Sequence, residues 1–92
     1  MNISLDKEFK ESFNQISALQ ENLSPDIMLK LYAYYKQAIS GDILSFEGEQ
    51  DVRKGFKFNA WKQLNGMSQE KAKEEYINLA KTILITKTNL ES

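Results

Sequence analysis

Apolar residues recur along this chain at the three- and four-residue spacing of amphipathic helices. The pattern predicts four helices, over about Ser4–Gln20, Pro25–Ser40, Val52–Leu64, and from a cap at Ser68 to Ile85 or Thr86. No segment alternates apolar and polar residues strongly enough to predict a strand. We therefore expect an all-α fold. The tail, residues 87–92, is polar, and we expect it to fray.

The second helix carries the strongest start and stop signals. Ser24 offers a hydroxyl N-cap. Pro25 follows at the first helical position, where the N–H that proline lacks would have no helical partner. Gly41 suits the left-handed conformation in which many helices end. The links are short except for the irregular segment that follows Asp42. A longer link permits the second and third helices to run in the same direction. Phe46 in that segment is consistent with a binding loop or with a plug over the core.

Size and charge limit the possible functions. A chain of 92 residues suits a single domain with one core, spanning residues 1–92. The net charge of −1 gives no overall field that would attract nucleic acid, so an anion site must be a local lysine cluster. No apolar run approaches the length of a bilayer span, and no signal-peptide pattern is present. We expect a cytoplasmic protein without membrane insertion.

The side-chain inventory disfavours catalysis. The chain has no cysteine and no histidine, so thiolate chemistry, zinc sites and histidine-dependent triads are nearly excluded. No glycine-rich phosphate loop and no pairing of a nucleophile with a base is recognisable. We expect binding without turnover, and neither a cofactor nor a metal.

Aromatic and cationic residues cluster on the second and third helices. Tyr32 and Lys36 lie one helical turn apart with Tyr35 beside them, and Lys57 and Arg53 follow on the third helix. Ammonium and guanidinium groups could meet a ligand with several phosphates while a phenol stacks on a base. The plainer interpretation of this cluster is that the tyrosines are partly buried in the core and that the lysines are ordinary solvated surface residues.

Two stretches strongly resemble a known family. Leu31–Asp42 resembles the signature motif of the acyl-CoA-binding proteins, and Phe58–Ser68 resembles their second motif, with Lys57 just before it. Tyr76 follows in the fourth helix at the family's spacing. The similarity extends from about Ser24 to Ile83.

The resemblance implies a four-helix bundle of up-down-down-up topology. It also implies a non-catalytic, monomeric carrier that transports or buffers medium- to long-chain fatty acyl-CoA esters. The acyl chain would lie in an apolar groove, sheltered partly by side chains of the first and second helices, where Met28 is a candidate contact. Trp61 would pack inside the bundle.

The resemblance also assigns residues to the CoA head group. Tyr32 and Lys36 would bind CoA phosphates, Tyr35 would contact the adenine side, and Lys57 would lie at the ribose 3′-phosphate end. Tyr76 would line the nucleotide site, and Arg53 stands where the family often has lysine.

Four features depart from the family pattern. The segment after Asp42 is one residue shorter than usual and lacks a common proline. Phe58 replaces a tryptophan, Gly55 replaces a basic residue, and Ser17 stands where a lysine often assists with phosphate. These changes bear on affinity and chain-length preference more than on the class of ligand.

Two other functions are compatible with the sequence. A helical protein-interaction module would present an exposed patch containing Tyr34, Trp61 or Phe46, and would not respond to CoA esters. An enzyme would show itself by thioester hydrolysis. Nucleic-acid binding is disfavoured by the isoelectric point of about 5.4.

Overall fold

The computed structural model describes residues 3–19, 23–43 and 52–91, without the side chains of 52–54 and 87–91. It contains α1 (Ile3–Ser17), α2 (Pro25–Ser40), α3 (Val52–Lys62) and α4 (Gln69–Glu91). The described residues include no strand, so the all-α prediction is confirmed. Phe46 lies outside the described residues. None of the described helices is long and apolar enough to cross a membrane.

Three helix ends differ from the sequence prediction. α1 stops at Ser17, and the Leu19 N–H donates to the Ile16 carbonyl at 3.2 Å in a tighter turn. α3 stops at Lys62, before a turn that ends at Gly66 with φ of 98°. α4 runs on to Glu91, because neither glycine nor proline interrupts it.

The predicted caps of α2 and α4 are confirmed. The Ser24 hydroxyl accepts from the Ile27 N–H at 3.4 Å, and the Ser68 hydroxyl accepts from the Lys71 N–H at 3.0 Å. Gly41 ends α2 with φ of 74°, a region that L-residues with side chains rarely adopt. These local signals fix where α2 and α4 begin and where α2 ends.

Helices α1 and α4 run in the same direction. The Asp6 carboxylate pairs with the Lys73 ammonium at 2.6 Å near the start of both helices. One turn further along both, the Phe9 and Tyr76 rings meet edge to face at 5.1 Å. Because both contacts move towards the C-terminus along α1 and along α4, the two helices are parallel.

Helices α2 and α3 are parallel as well. The Lys57 ammonium lies over the Tyr32 ring, and the Lys36 ammonium lies over the Trp61 ring one turn further along both helices. α4 is antiparallel to α2, because Gln69 at its start donates to the carbonyl of Ala38 near the end of α2 at 3.1 Å. The up-down-down-up topology is thereby confirmed.

The core lies where α1, α2 and α4 meet. Its buried cluster consists of Phe9, Leu31, Ala38, Ala72, Tyr76, Ile77, Ala80 and Ile83. α3 packs against α2 alone among the described helices. Because α3 stands to one side of this cluster, the seam between α2 and α3 stays open as a groove.

Candidate functional site

An apolar groove of about 480 Å³ lies between the N-terminal half of α2 and the middle of α3. Its lining residues are Pro25, Met28, Leu29, Tyr32, Phe56 and Lys57. The side chains of Met28 and Phe56 are 57% and 59% exposed, far more than a core role would leave. The groove therefore presents apolar surface to solvent and carries a phenol and an ammonium.

Tyr32 and Lys57 form the polar part of this groove. The Lys57 Nζ lies 5.4 Å from the centroid of the Tyr32 ring, within the range of a cation–π contact. Partial burial raises the pKa of the Tyr32 phenol, so its hydroxyl remains a neutral donor at pH 7. The pair offers one charged and one neutral hydrogen-bond donor beside the apolar lining.

Lys36 forms a second cation–π contact one turn further along. Its Nζ lies 5.0 Å from the centroid of the Trp61 ring. Trp61 is 9% exposed, so the prediction that it packs inside the bundle is confirmed. The Trp61 Nε1–H donates to the Gly41 carbonyl at 3.0 Å and so fixes the orientation of the ring.

A hydrogen-bonded clasp holds the end of α2 against the turn between α3 and α4. The fully buried Gln37 donates from Nε2 to the Asp42 carboxylate and to the Met67 carbonyl, each at 2.7 Å. The same Asp42 oxygen accepts from the Gly66 N–H at 2.8 Å. Both hydrogen bonds favour the ionised carboxylate and so lower the pKa of Asp42, the bond from the Gly66 N–H more than the bond from the Gln37 amide. The clasp sets the position of Gly41, whose carbonyl accepts the hydrogen bond that orients the Trp61 ring.

Tyr35 belongs to an aromatic cluster on the α1 side of α2. Its ring stacks on Phe13 at 4.9 Å and on Phe9 at 6.0 Å, and lies 6.5 Å from Tyr76. Tyr76 is 3% exposed, and burial together with the neighbouring Tyr35 raises its pKa to about 12. Tyr76 thus lies in the core behind Tyr35.

The structure brings most of the predicted residues together on one face. Lys36, Tyr32, Lys57 and Met28 follow one another along the α2–α3 seam. Tyr35 lies on the other side of α2, towards α1. Tyr76 stands behind it, and the side chain of Arg53 lies outside the described residues.

The apolar groove is walled by α2 and α3, with Phe56 of α3 facing the side chains of α2. That apolar side chains of the first and second helices shelter an acyl chain stays a prediction from the resemblance. Phe56 and Phe13 were not among the predicted site residues. The sequence signal for Phe56 was its place directly before Lys57, on a helix where aromatic and basic residues are interspersed.

Comparison with known proteins identifies the family. A family model described as Acyl CoA binding protein matches residues 6–80. The chain belongs to the acyl-CoA-binding protein family. It is 37% identical to an acyl-CoA-binding protein of Gossypium hirsutum, covering 88% of this chain and 92% of that one. It is 38% identical to the acyl-CoA-binding protein of Saccharomyces cerevisiae, covering 83% and 88%.

A solved structure of an acyl-CoA-binding protein has the same fold. The crystal structure of acyl-CoA-binding protein 2 from Oryza sativa matches with a TM-score of 0.85 and 31% identity, covering 92% of this chain and 96% of that one. The human enoyl-CoA delta isomerase 2 also contains a similar region, 33% identical over 84% of this chain. The chain spans 20% of that larger protein.

Proposed function

We propose that this acyl-CoA-binding protein binds medium- to long-chain fatty acyl-CoA esters and transports or buffers them without converting them. One observation carries the proposal: an exposed apolar groove that includes a phenol and an ammonium, with a second ammonium one turn away. An acyl-CoA ester complements this surface, because its apolar tail is joined to a head group that bears several phosphates. The names of its relatives support the same ligand class.

The cations would bind the CoA phosphates. Lys36 and Lys57 both lie over aromatic rings, at distances that attract an ammonium by about 0.5–2 kcal/mol. A charge-assisted hydrogen bond to phosphate contributes about 1.5–3 kcal/mol, so a bound phosphate would draw each ammonium from its ring. The Tyr32 hydroxyl would add a neutral donor. A contribution from Arg53 remains a prediction from the sequence.

Tyr35 and Tyr76 would act in different ways. Tyr35 is half-buried and lies beside the Lys36 position, so it can face the adenosine part of the head group. Tyr76 is buried and contacts Tyr35 rather than presenting a free surface. We assign Tyr76 the role of supporting the Tyr35 ring, in place of the direct contact that the resemblance implied.

The groove would hold the acyl chain. Each methylene removed from water contributes about 0.8 kcal/mol, so even a partly sheltered chain adds appreciably to affinity. Ordering the chain and the ligand offsets much of that sum. Met28 and Phe56, the two most exposed apolar side chains of the groove, would lose the most solvent contact on binding.

We propose binding without turnover on the basis of the reactive groups that the chain carries. The chain contains no cysteine or histidine, and the site as described pairs no nucleophile with a base. We further propose that the protein acts as a monomer in the cytoplasm, in keeping with a carrier for a diffusible ligand.

Calorimetric titration with palmitoyl-CoA tests the function, with free CoA and palmitate as separate controls. We expect tight binding of the ester and much weaker binding of either half, together with a rise in melting temperature that grows with ester concentration. Release of free thiol during incubation would show catalysis. Absence of both heat and thermal shift would refute the proposal and favour a protein-binding role.

A further inference from the structure

Phe13 exposes an aromatic ring beside the proposed ligand site. It lies one turn after Phe9 on the apolar stripe of α1, yet it is 36% exposed where Phe9 is 8% exposed. Its ring is held in place, because it stacks on Tyr35 at 4.9 Å with an interplanar angle of 25°. Phe13 therefore presents a fixed π surface that the core leaves partly uncovered.

The ring of Tyr35 is half-buried, and other rings pack around it. Phe9 and Phe13 lie nearly parallel to it, and Tyr76 approaches at 6.5 Å. Of these four rings Phe13 has the clearest access to solvent. A planar ligand group at this end of the site would therefore find a more exposed ring on Phe13 than on Tyr35.

The position of Phe13 suits a base whose phosphates are bound by the lysines. Tyr35 directly precedes Lys36 on α2, with Phe13 on the α1 side of Tyr35 and Trp61 on the α3 side of Lys36. A nucleotide held through phosphate at Lys36 can therefore place its base towards α1. This step rests on the proposed acyl-CoA function, since it takes the base to be the adenine of CoA.

We infer that Phe13 is the residue on which the adenine ring stacks, with Tyr35 as its backing, and that it sets the preference for an adenosine-bearing head group. Base–aromatic stacking is worth about 1–3 kcal/mol per base by alanine substitution, which corresponds to a change in affinity of about 5- to 150-fold. Phe13 has no charge, so its contribution is insensitive to salt, unlike that of the lysines.

The test compares two ligands that share an acyl chain. Palmitoyl-CoA carries the adenosine group, whereas palmitoyl-4′-phosphopantetheine lacks it. We expect Phe13→Ala to weaken palmitoyl-CoA binding about tenfold and to leave the pantetheine ester unchanged. Phe13→Tyr should retain the parent affinity. Phe13→Leu, which keeps apolar bulk but has no ring face, should lose nearly as much as the alanine variant.

Packing effects are separated by two further measurements. Ile16 is partly buried on the same stripe of α1, so Ile16→Ala controls for lost packing of that helix. Melting temperatures and circular dichroism are compared for all variants, and Phe13→Leu carries the test if the alanine variant does not fold.

Several outcomes would overturn the inference. Equal losses for both esters would make Phe13 a packing residue, and unchanged or tighter palmitoyl-CoA binding by Phe13→Ala would make it a cover over Tyr35. Parent-like binding by Phe13→Leu would show that no ring face is needed. If the parent failed to bind palmitoyl-CoA, the proposed function would fall together with the inference, whereas the other outcomes overturn the inference alone.

Discussion

The ammonium of Lys36 lies 5.0 Å from the centroid of the Trp61 ring, and the Trp61 Nε1–H donates to the carbonyl of Gly41 at 3.0 Å. Gly41 is the residue that ends α2, so the helix that carries Lys36 also anchors the ring beneath it. The ring holds the ammonium by a weak attraction, which a phosphate can exceed. Lys36 is thus positioned without being tightly bound.

Removing the Lys36 ammonium should weaken ligand binding selectively. We expect Lys36→Ala to bind palmitoyl-CoA roughly tenfold to a hundredfold more weakly, because a charge-assisted hydrogen bond to phosphate is lost. Calorimetry gives the affinity and circular dichroism the helicity, which should not change. Lys30→Ala is the matched control, since Lys30 is an exposed lysine of α2 beside Tyr34 and α4. Parent-like affinity of Lys36→Ala would show the site assignment to be wrong.

The Tyr32 hydroxyl should contribute less than the lysines. Tyr32→Phe keeps the ring under Lys57 and removes one neutral donor, so affinity for palmitoyl-CoA should fall by a factor of about 2 to 12. The same titration measures it, with melting temperature as the check on folding. A loss as large as that of Lys36→Ala would mean that the ring contact, and not the hydroxyl alone, had been disturbed.

A charge in the groove should impair binding of the tail. Met28→Asp places a carboxylate among apolar side chains, and we expect palmitoyl-CoA to bind at least tenfold more weakly because the charge must be desolvated beside the acyl chain. Free CoA should bind as it does to the parent. Ile39→Asp is the control, because Ile39 is an apolar residue of α2 with 47% exposure that does not line this groove. Equal effects of the two substitutions would argue against the groove.

The buried phenol of Tyr76 should reduce stability at high pH. Its folded pKa of about 12 exceeds its ordinary value of 10.0, so the stabilisation is present below pH 10 and is lost as pH rises towards 12. At pH 11 the parent should have lost roughly 1 kcal/mol more than Tyr76→Phe, relative to pH 8. Urea unfolding of both proteins at the two pH values measures the difference. Identical pH dependence would show that Tyr76 titrates normally.

Asp42 should link folding stability to acid pH. The Gly66 N–H and Gln37 amide lower its folded pKa below the ordinary value of 3.8, so this stabilisation is present above that value and is lost as pH falls through the folded pKa. Asp42→Asn should melt at a lower temperature than the parent at pH 7 and should show a smaller decrease on acidification. Thermal melts from pH 7 to pH 2 test this. Parallel melting curves across that range would count against the clasp.

Much of the architecture was predictable because helix signals are local. Ser24 and Gly41 mark the ends of α2, and both act through hydrogen bonds or dihedral angles within a few residues of themselves. The end of α4 was harder to place, because a polar tail without a breaker carries no stop signal.

The sequence alone predicted four helices and the placing of Tyr32 and Lys36 one turn apart on α2. Tertiary structure decided which ring each cation meets, that Tyr76 lies behind Tyr35, and that Phe56 of α3 faces α2 across the groove. Helical periodicity assigns a residue to a face of its own helix. Which partner that face meets depends on contacts between distant segments, and here on α2 and α3 running side by side in the same direction.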